Sequence, residues 1–201
     1  MPGKIRGMEI FLATNRLLFR RFTPADPDLL VELDSDPEVM RYINGGEPTK
    51  RIHIETGTLP AMLRDYERFP GLGTFAVITK GGNEFIGWFM LLPDPAIGTD
   101  TAELGYRLRK RFWGKGYATE GALALVRHGF VDADVRRIYA ETMAVNTGSR
   151  RVMEKVGLQY ELTYFPPFAP IEGSEHGEVR YTLDREEWYA ASIRKNLQDL
   201  S

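Results

Sequence analysis

The sequence contains no cysteine, only three histidines and no long apolar run. Without cysteine there can be no disulfide, no thiolate nucleophile and no cysteine zinc site. His53, His128 and His176 lie far apart and form no H-x-x-x-H pair, so we expect no catalytic metal. Residues 10–13 are too short an apolar run for a signal peptide, and no segment is long enough to span a membrane. The default expectation is a cytoplasmic protein.

Composition and charge also limit the classes of protein. The chain has 201 residues, of which 43% are hydrophobic and 27% are charged, as is ordinary for a globular fold. We expect one domain over residues 1–201, with 1–13 as a flexible extension. A net charge of -2 argues against a direct nucleic-acid partner, because such proteins are usually strongly basic.

Hydrophobic periodicity and turn residues predict strands and helices in alternation. Gly81-Gly82-Asn83 predicts a hairpin turn, and Pro37 divides the helical pattern over 26–43 into two helices. Residues 93–100 predict a loop, and the strand-helix-strand passage from 101 to 145 predicts parallel pairing. The predicted strands are 15–22, 74–79, 84–92, 101–109, 137–145, 158–164 and 178–183. Further helices are predicted over 49–69, from Tyr117, over 150–156 and from Asp184.

A basic turn with two glycines lies between a predicted strand and an apolar helix. Its pattern is R-x-x-G-x-G, formed by Arg111, Gly114 and Gly116, with Lys115 between the glycines. The first N–H groups of a helix have no internal partner, and glycine lets the backbone approach an anion closely. The spacing matches neither the P-loop nor the dinucleotide fingerprint. The alternative is a plain strand-to-helix turn with solvated arginines.

Basic residues are concentrated around this turn, although the whole chain is mildly acidic. Such a cluster predicts an electrostatic funnel for an anionic cofactor, and a solvated strand edge is the alternative. The cluster comprises Arg107, Arg109, Lys110, Arg111 and Lys115.

These motifs resemble those of the GNAT superfamily of N-acetyltransferases, most closely the branch of ribosomal-protein N-terminal acetyltransferases. The resemblance covers R-x-x-G-x-G at 111–116 and the flanking ELGY at 103–106 and YATEG at 117–121. It extends to NRLLFR at 15–20, DPEVMRYI at 36–43 and GL at 157–158. It implies an α/β fold whose mixed, mostly antiparallel sheet has six to seven strands, a splayed parallel pair and helices on both faces. It also implies acetyl-CoA as co-substrate.

By the same resemblance, acetyl-CoA lies between the strands that end near Arg109 and Val145. Unpaired backbone groups in such a fork can bond the pantetheine amides. The implied backbone contacts are those of Leu108, Arg109 and Lys110, with Arg111 nearby. The implied pyrophosphate contacts are Gly114, Lys115, Gly116, Tyr117, Ala118 and Thr119. Asn146, Ser149 and Arg150 complete the cofactor set, although Asn146 and Ser149 also suit a helix cap and Arg150 a surface charge.

Acetylation of an amine requires a proton acceptor, stabilisation of the carbonyl oxygen and a proton for the thiolate. Glu103, in the ELGY motif, is the candidate base, with a structural carboxylate or substrate anchor as alternatives. A backbone N–H near Arg109 is the implied donor to the carbonyl oxygen. Met153 occupies the position where many family members have a tyrosine acid, and methionine cannot donate a proton. Ser149 is the substitute acid, with Tyr160, Tyr164 or no dedicated acid as alternatives.

The acceptor cleft is implied to involve residues near two loops. Tyr42 and Asn44 follow the early helices, while Glu172, Glu175 and Glu178 lie in a late loop that suits a cationic amine or is simply solvated. A protein or peptide N-terminus is the expected acceptor. The alternatives are a small amine, such as a polyamine, amino acid or antibiotic, and a non-catalytic CoA-binding module. Exposed sheet edges are compatible with a homodimer.

Overall fold

The computed structural model describes residues 4–5, 8–94, 97–167 and 170–198. Within these residues, β1 (Lys4–Ile5) pairs with β2 (Met8–Glu9), and eight further strands form one sheet. The sheet strands are β3 (Leu12–Ala13), β4 (Leu17–Arg21), β5 (Gly73–Thr79), β6 (Phe85–Asp94), β7 (Gly98–Leu108), β8 (Arg137–Met143), β9 (Gln159–Tyr164) and β10 (Glu178–Asp184). Their order in the sheet is β3-β4-β5-β6-β7-β8-β10-β9. The fold-class prediction is confirmed; the strand count exceeds six to seven because the short β3 adds to the edge of β4.

One face of the sheet carries the N-terminal helices. These are α1 (Pro27–Asp34), α2 (Pro37–Asn44), α3 (Arg51–His53) and α4 (Leu59–Arg68), with the π-helical segment Ile54–Thr58 joining the last two. Pro37 begins α2, and the Asp36 carboxylate caps it by accepting from the Glu38 N–H at 3.0 Å, so the predicted division is confirmed. The chain stays helical through Gly57 and Pro60, because Pro60 falls in the first turn of α4.

The other face carries α5 (Tyr117–Val131), α6 (Thr147–Lys155) and α7 (Arg185–Gln198). Leu125, Val126 and Phe130 of α5 are buried against strand residues such as Leu91 and Ile138. Apolar side chains under α1 and α4 form a second cluster on the opposite face. Helices therefore cover both faces, as the resemblance implied. Among the described residues, no helix is both long and apolar enough to cross a bilayer.

One segment differs from the sequence-based expectation, and the N-terminal segment contains two packed residues. The loop prediction over 93–100 is wrong in extent, because β6 continues through Pro93 to Asp94 and β7 begins at Gly98. Pro93 lies beyond the end of β5, so its missing N–H costs no ladder bond. Of residues 1–13, expected to be flexible, Ile10 is buried and Phe11 stacks on Phe75 at 4.0 Å; residues 1–3 and 6–7 lie outside the described residues.

Candidate active site

The parallel strands β7 and β8 separate partway along their length. Their pairing is limited to Thr101 with Arg137, Ala102 with Ile138 and Glu103 with Tyr139. Beyond Glu103, β7 continues to Leu108 beside β6, and β8 continues to Met143 beside β10. The predicted parallel pair is therefore present, and a gap opens between the two strands just after Glu103.

Backbone groups of β7 point into this gap at alternate residues. The N–H of Arg109 donates to the carbonyl of Ile86 on β6 at 2.8 Å. Because neighbouring strand residues direct their N–H groups to opposite sides, Leu108 and Tyr106 direct theirs towards β8. The carbonyl of Leu108 accepts from the Trp113 indole N–H at 2.8 Å. The N–H of Arg109 is thus engaged within the sheet, and the donor to the carbonyl oxygen expected near Arg109 stays a prediction.

The glycine turn leads from this gap into α5. Gly114 and Gly116 have φ angles of 71° and 78°, which side chains with a Cβ rarely adopt. A Cβ on Gly114 would meet no atom within 4 Å, so open space lies beside the turn. Tyr117, Ala118 and Thr119 form the half-buried first turn of α5, where N–H groups lack internal partners. This geometry is suited to an anion, and the pyrophosphate contacts at 114–119 stay a prediction.

The cations predicted to form a funnel are largely neutralised by acidic side chains. Four of the five contact carboxylates of α1, α2 or the β5–β6 hairpin, so the funnel prediction is wrong in this respect. Their partners lie more than 20 residues away along the chain, and no local sequence pattern indicates them. The pairs are Arg107 with Asp34 (2.6 Å), Arg109 with Glu32 (2.5 Å), Lys110 with Glu38 (3.4 Å) and Arg111 with Glu84.

Helix α6 begins beside the gap and is capped by Asn146. The Asn146 Oδ1 accepts from the Ser149 N–H at 3.1 Å, and its Nδ2 donates to Thr142 Oγ1 at 3.0 Å. Arg150 is also engaged, because it donates to the Ala144 carbonyl at 3.0 Å and to the Tyr181 hydroxyl at 3.1 Å. The structure therefore supports the alternative role of Asn146, which is to cap the start of α6 rather than to contact the cofactor.

Replacing Asn146 by alanine is expected to lower the free energy of unfolding by about 1 kcal/mol, because the N-cap bond is lost. The affinity for acetyl-CoA should change little, since the Asn146 side chain is already engaged within the protein. Asn146→Asp, which retains a capping oxygen, should restore most of the stability. Urea unfolding and calorimetric titration check both quantities; weakened acetyl-CoA binding at unchanged stability would instead support a cofactor contact.

Ser149 lies next to a tyrosine of β7. The Tyr106 hydroxyl is 2.9 Å from Ser149 Oγ and 3.0 Å from the Ser149 carbonyl oxygen. Burial raises the pKa of Tyr106 to about 12, although the Ser149 hydrogen bond opposes the shift. Tyr106 therefore remains protonated at neutral pH, and its hydroxyl fixes Ser149 beside the strand that lines the gap.

Met153, at the usual tyrosine position, and the two alternative acids Tyr160 and Tyr164 differ in their surroundings. Met153 is 1% exposed and packs in the core under α6, which accounts for an apolar residue there. Tyr160 is exposed on β9, and its hydroxyl is 2.9 Å from Thr163 Oγ1. The Tyr164 hydroxyl bonds to Glu141; burial first, and this hydrogen bond second, raise the pKa of Tyr164. Ser149 is thus the candidate acid that the structure brings next to β7.

Glu103 is a half-buried carboxylate at the last paired position before the gap. Burial, followed by the neighbouring carboxylates Glu141 and Asp94, raises the pKa of Glu103, while Arg180 opposes the shift. Among the residues that the structure describes, no hydrogen bond or salt bridge engages this side chain. Such a carboxylate is suited to accept a proton, because a raised pKa makes it a stronger base.

Other ionisable groups share this face of the sheet with Glu103. Arg180 Nε donates to Glu141 Oε1 at 2.7 Å, and its guanidinium lies 4.8 Å from the centre of the Tyr139 ring. The Tyr139 hydroxyl donates to Asp94 at 2.9 Å. Burial first, and Glu141 second, raise the pKa of Glu178. The face that adjoins α1 and α2 is therefore acidic and favours a cationic molecule.

The end of α2 meets the loop between β9 and β10. Arg41 pairs with Glu172 at 3.4 Å, and a Cβ on Gly45 would lie 3.3 Å from Ile171. Tyr42 is half-buried on α2, and the guanidinium of Arg41 lies over its ring. The Asn44 amide closes its own loop by bonding both the N–H and the carbonyl of Glu47. The end of α2 and the loop between β9 and β10 are therefore in contact, and the substrate role of Tyr42 and Asn44 stays a prediction.

The geometry fits acetyl-CoA. The gap supplies backbone groups for an extended amide-containing arm, and the left-handed glycine turn supplies space and N–H groups for a pyrophosphate. When bound, acetyl-CoA provides the activated acetyl thioester. The residues that would hold it are those of β7 from Tyr106 to Leu108, the turn at 114–116 and the first turn of α5.

Comparisons with known proteins agree with this geometry. The FsC-acetyl coenzyme A-N(2)-transacetylase of Aspergillus fumigatus is 38% identical over 169 residues, covering 80% of this chain and 70% of that protein. A GNAT-family acetyltransferase structure from Bacillus anthracis has a TM-score of 0.72 at 29% identity, covering 88% of this chain and 99% of that one. RimL, a ribosomal L7/L12 alpha-N-protein acetyltransferase solved with coenzyme A, has a TM-score of 0.75 at 18% identity, covering 89% of this chain and 99% of that one.

The family pattern described as "Acetyltransferase (GNAT) domain" matches residues 16–159, which include the glycine turn, the gap and the cap of α6. This chain therefore belongs to the GNAT acetyltransferase family and is an acetyl-CoA-dependent acyltransferase.

Proposed function

We propose that this enzyme transfers the acetyl group of acetyl-CoA to the primary amine of a small molecule, by direct attack of the amine. Glu103 carries the proposal: a half-buried base of raised pKa, without a hydrogen-bond partner among the described residues, at the mouth of the gap. Direct transfer needs no nucleophile from the protein, and the absence of cysteine is consistent with that route.

Glu103 accepts the proton that the amine loses as its new bond to the acetyl carbon forms. The carboxylate and the amine must be within hydrogen-bond reach, directly or through one water. The neighbouring carboxylates Glu141 and Asp94 attract an ammonium group and also keep the pKa of Glu103 high. The acidic face thus both gathers the cationic acceptor and helps to deprotonate it.

The N–H of Tyr106, which faces the gap three residues beyond Glu103, donates to the carbonyl oxygen, where negative charge develops as the amine attacks. The Ser149 hydroxyl, 2.9 Å from the Tyr106 hydroxyl near the start of α6, is the group that we assign to donate a proton to the sulfur as the C–S bond breaks. These two groups approach from the two sides of the gap, which supports a reaction centre between β7 and the start of α6.

The acceptor class is supported by the relative at 38% identity. Its name specifies a numbered nitrogen, N(2), of FsC, and a numbered atom is how a position in a small molecule is given. The likeness to RimL is at 18% identity and concerns the fold alone. The expectation of a protein or peptide N-terminus from the sequence stays a prediction that the same assay tests.

The experiment measures thiol release from acetyl-CoA with two matched acceptor panels. One contains small primary amines, namely diamines, basic amino acids and amino sugars, and the other contains peptides with free N-termini and no lysine. We expect turnover within the small-amine panel, with the lowest KM for acceptors that carry a second positive charge. Turnover of peptides alone would contradict the proposed acceptor class.

A further inference from the structure

Arg16, just before β4, contacts the glycine turn although the two are 99 positions apart in the sequence. Its Nη1 donates to the carbonyl of Lys115 at 2.9 Å, and its Nε donates to Glu120 Oε2 at 2.5 Å. The guanidinium also lies 4.4 Å from the centre of the Tyr117 ring. This one side chain therefore contacts the glycine turn at Lys115 and the first turn of α5 at Tyr117 and Glu120.

Glu120 fixes the orientation of Arg16. Its other oxygen, Oε1, accepts from the Arg16 backbone N–H at 2.9 Å and from Thr14 Oγ1 at 2.5 Å. Burial alone would raise the pKa of Glu120, but the hydrogen bonds from Thr14 and Arg16 lower it below its ordinary value. The carboxylate is consequently ionised and held at both oxygens, and we call this Arg16–Glu120 pair the bracket.

The bracket determines which way the peptide between Lys115 and Gly116 faces. In a planar trans peptide the N–H points opposite to the carbonyl. Because Arg16 holds the Lys115 carbonyl on its own side, the Gly116 N–H is directed away from Arg16. A left-handed glycine has no side chain to restrain this peptide, so without Arg16 the group is free to rotate.

We propose that the Arg16–Glu120 bracket is a positioning device for the cofactor: it holds the turn so that the Gly116 N–H faces the pyrophosphate. The inference rests on the acetyl-CoA placement described above. Arg16 acts through geometry rather than through its charge, because Glu120 neutralises that charge.

Two variants distinguish positioning of the turn by the bracket from simple electrostatic attraction between Arg16 and the cofactor. Arg16→Met removes the bond to Lys115, and Glu120→Gln places an amide donor against Arg16 Nε while making the site more positive. Charge attraction predicts that Glu120→Gln tightens acetyl-CoA binding, whereas the bracket predicts that it weakens binding. Arg127→Met is the matched control, because it removes an equal charge from the far end of α5, where Arg127 pairs with Asp132 at 3.6 Å.

The test measures dissociation constants for acetyl-CoA by calorimetry and for S-acetyl-pantetheine, which lacks the pyrophosphate, by NMR titration. We expect Arg16→Met and Glu120→Gln each to weaken acetyl-CoA binding by about tenfold, the effect of losing one charge-assisted hydrogen bond. Binding of S-acetyl-pantetheine should be unchanged, as should both affinities in Arg127→Met.

Arg16 has a side chain that is 46% exposed, so its loss should leave the fold intact. Arg16→Lys keeps the charge but lacks the forked geometry of the guanidinium. It is a second test variant and should also weaken acetyl-CoA binding. If the wild type binds acetyl-CoA, any of three results would contradict the bracket. These are an equal loss of affinity for acetyl-CoA and for S-acetyl-pantetheine, unchanged acetyl-CoA affinity in both variants, and tighter acetyl-CoA binding by Glu120→Gln. A wild type that does not bind acetyl-CoA would instead overturn the cofactor placement itself.

Discussion

Replacing Glu103 by glutamine is expected to lower kcat by about two to three orders of magnitude, the usual loss when a general base is removed. Glutamine has nearly the same shape but cannot accept a proton from the amine. The affinity for acetyl-CoA should be unchanged, because the turn and the gap are intact. Initial rates at saturating acceptor, together with calorimetry of acetyl-CoA, separate these two effects.

The pH dependence of activity provides a second readout of Glu103. Because burial and the neighbouring carboxylates raise its pKa, the rate in the wild type should rise as pH increases through that raised value. The variant has no titrating group at this position, so it should lose that limb of the profile. A retained limb in Glu103→Gln would assign the limb to another group.

At neutral pH, Glu103→Gln should increase the stability of the fold although it lowers the activity. A carboxylate whose pKa is higher in the folded state binds its proton more tightly when folded, so it stabilises the fold below its unfolded pKa. That contribution is lost as pH rises through the raised folded pKa. Glu103→Gln should therefore raise the melting temperature at neutral pH and leave it nearly unchanged in acid.

Glu55→Gln is the matched control for Glu103→Gln, because Glu55 is exposed and pairs with Arg51 one helical turn away, its salt-bridge partner among the described residues. It should alter neither rate nor stability appreciably. A loss of melting temperature at neutral pH in Glu103→Gln, with kcat unchanged, would assign Glu103 a structural role and contradict the proposed chemistry.

Replacing Gly114 by valine is expected to abolish measurable binding of acetyl-CoA while the protein remains folded. Gly114 has a φ of 71°, and a β-branched residue there is strained by about 1–2 kcal/mol, well below the stability of a typical domain. Apart from its chain neighbours, a Cβ at this position meets no described protein atom within 4 Å, so the added side chain enters the open space where we expect the pyrophosphate to bind. Calorimetry and thermal unfolding measure the two consequences.

Gly57→Ala is the control for Gly114→Val, since Gly57 also has open space around it but lies in a helical segment without a positive φ. It should retain acetyl-CoA binding and gain slightly in stability. Unchanged acetyl-CoA binding in Gly114→Val would show that the pyrophosphate does not approach this turn.

Features that depend on neighbouring residues could be predicted from the sequence. The Gly81-Gly82-Asn83 hairpin, the division at Pro37 and the helix that begins at Tyr117 each follow from local steric rules, and all three are present. The two glycines of the turn adopt the left-handed conformations for which glycine is suited. The parallel pairing of β7 with β8 also follows, because a helix joins them.

Features that depend on residues far apart in the chain could not be predicted. In the sequence, the cations from Arg107 to Arg111 suggest an electrostatic funnel. In the fold, Glu32, Asp34 and Glu38 of α1 and α2 pair with three of them. Arg16 is about 100 positions from the turn that it contacts, and nothing near it in sequence indicates that contact. The direction of the Arg109 N–H is likewise set by the register with β6.

The most direct test of the acetyl-CoA placement is a titration of acetyl-CoA into nitrogen-15-labelled protein, monitored by amide chemical shifts. We expect the largest changes at Tyr106 and Leu108, at the turn 114–116 and in the first turn of α5. The amide of Arg109, which already bonds to Ile86, should move less than that of Leu108. Changes confined to α1, α2 and the charged cluster at 109–111, with the gap and the turn unaffected, would contradict the placement of the acetyl donor.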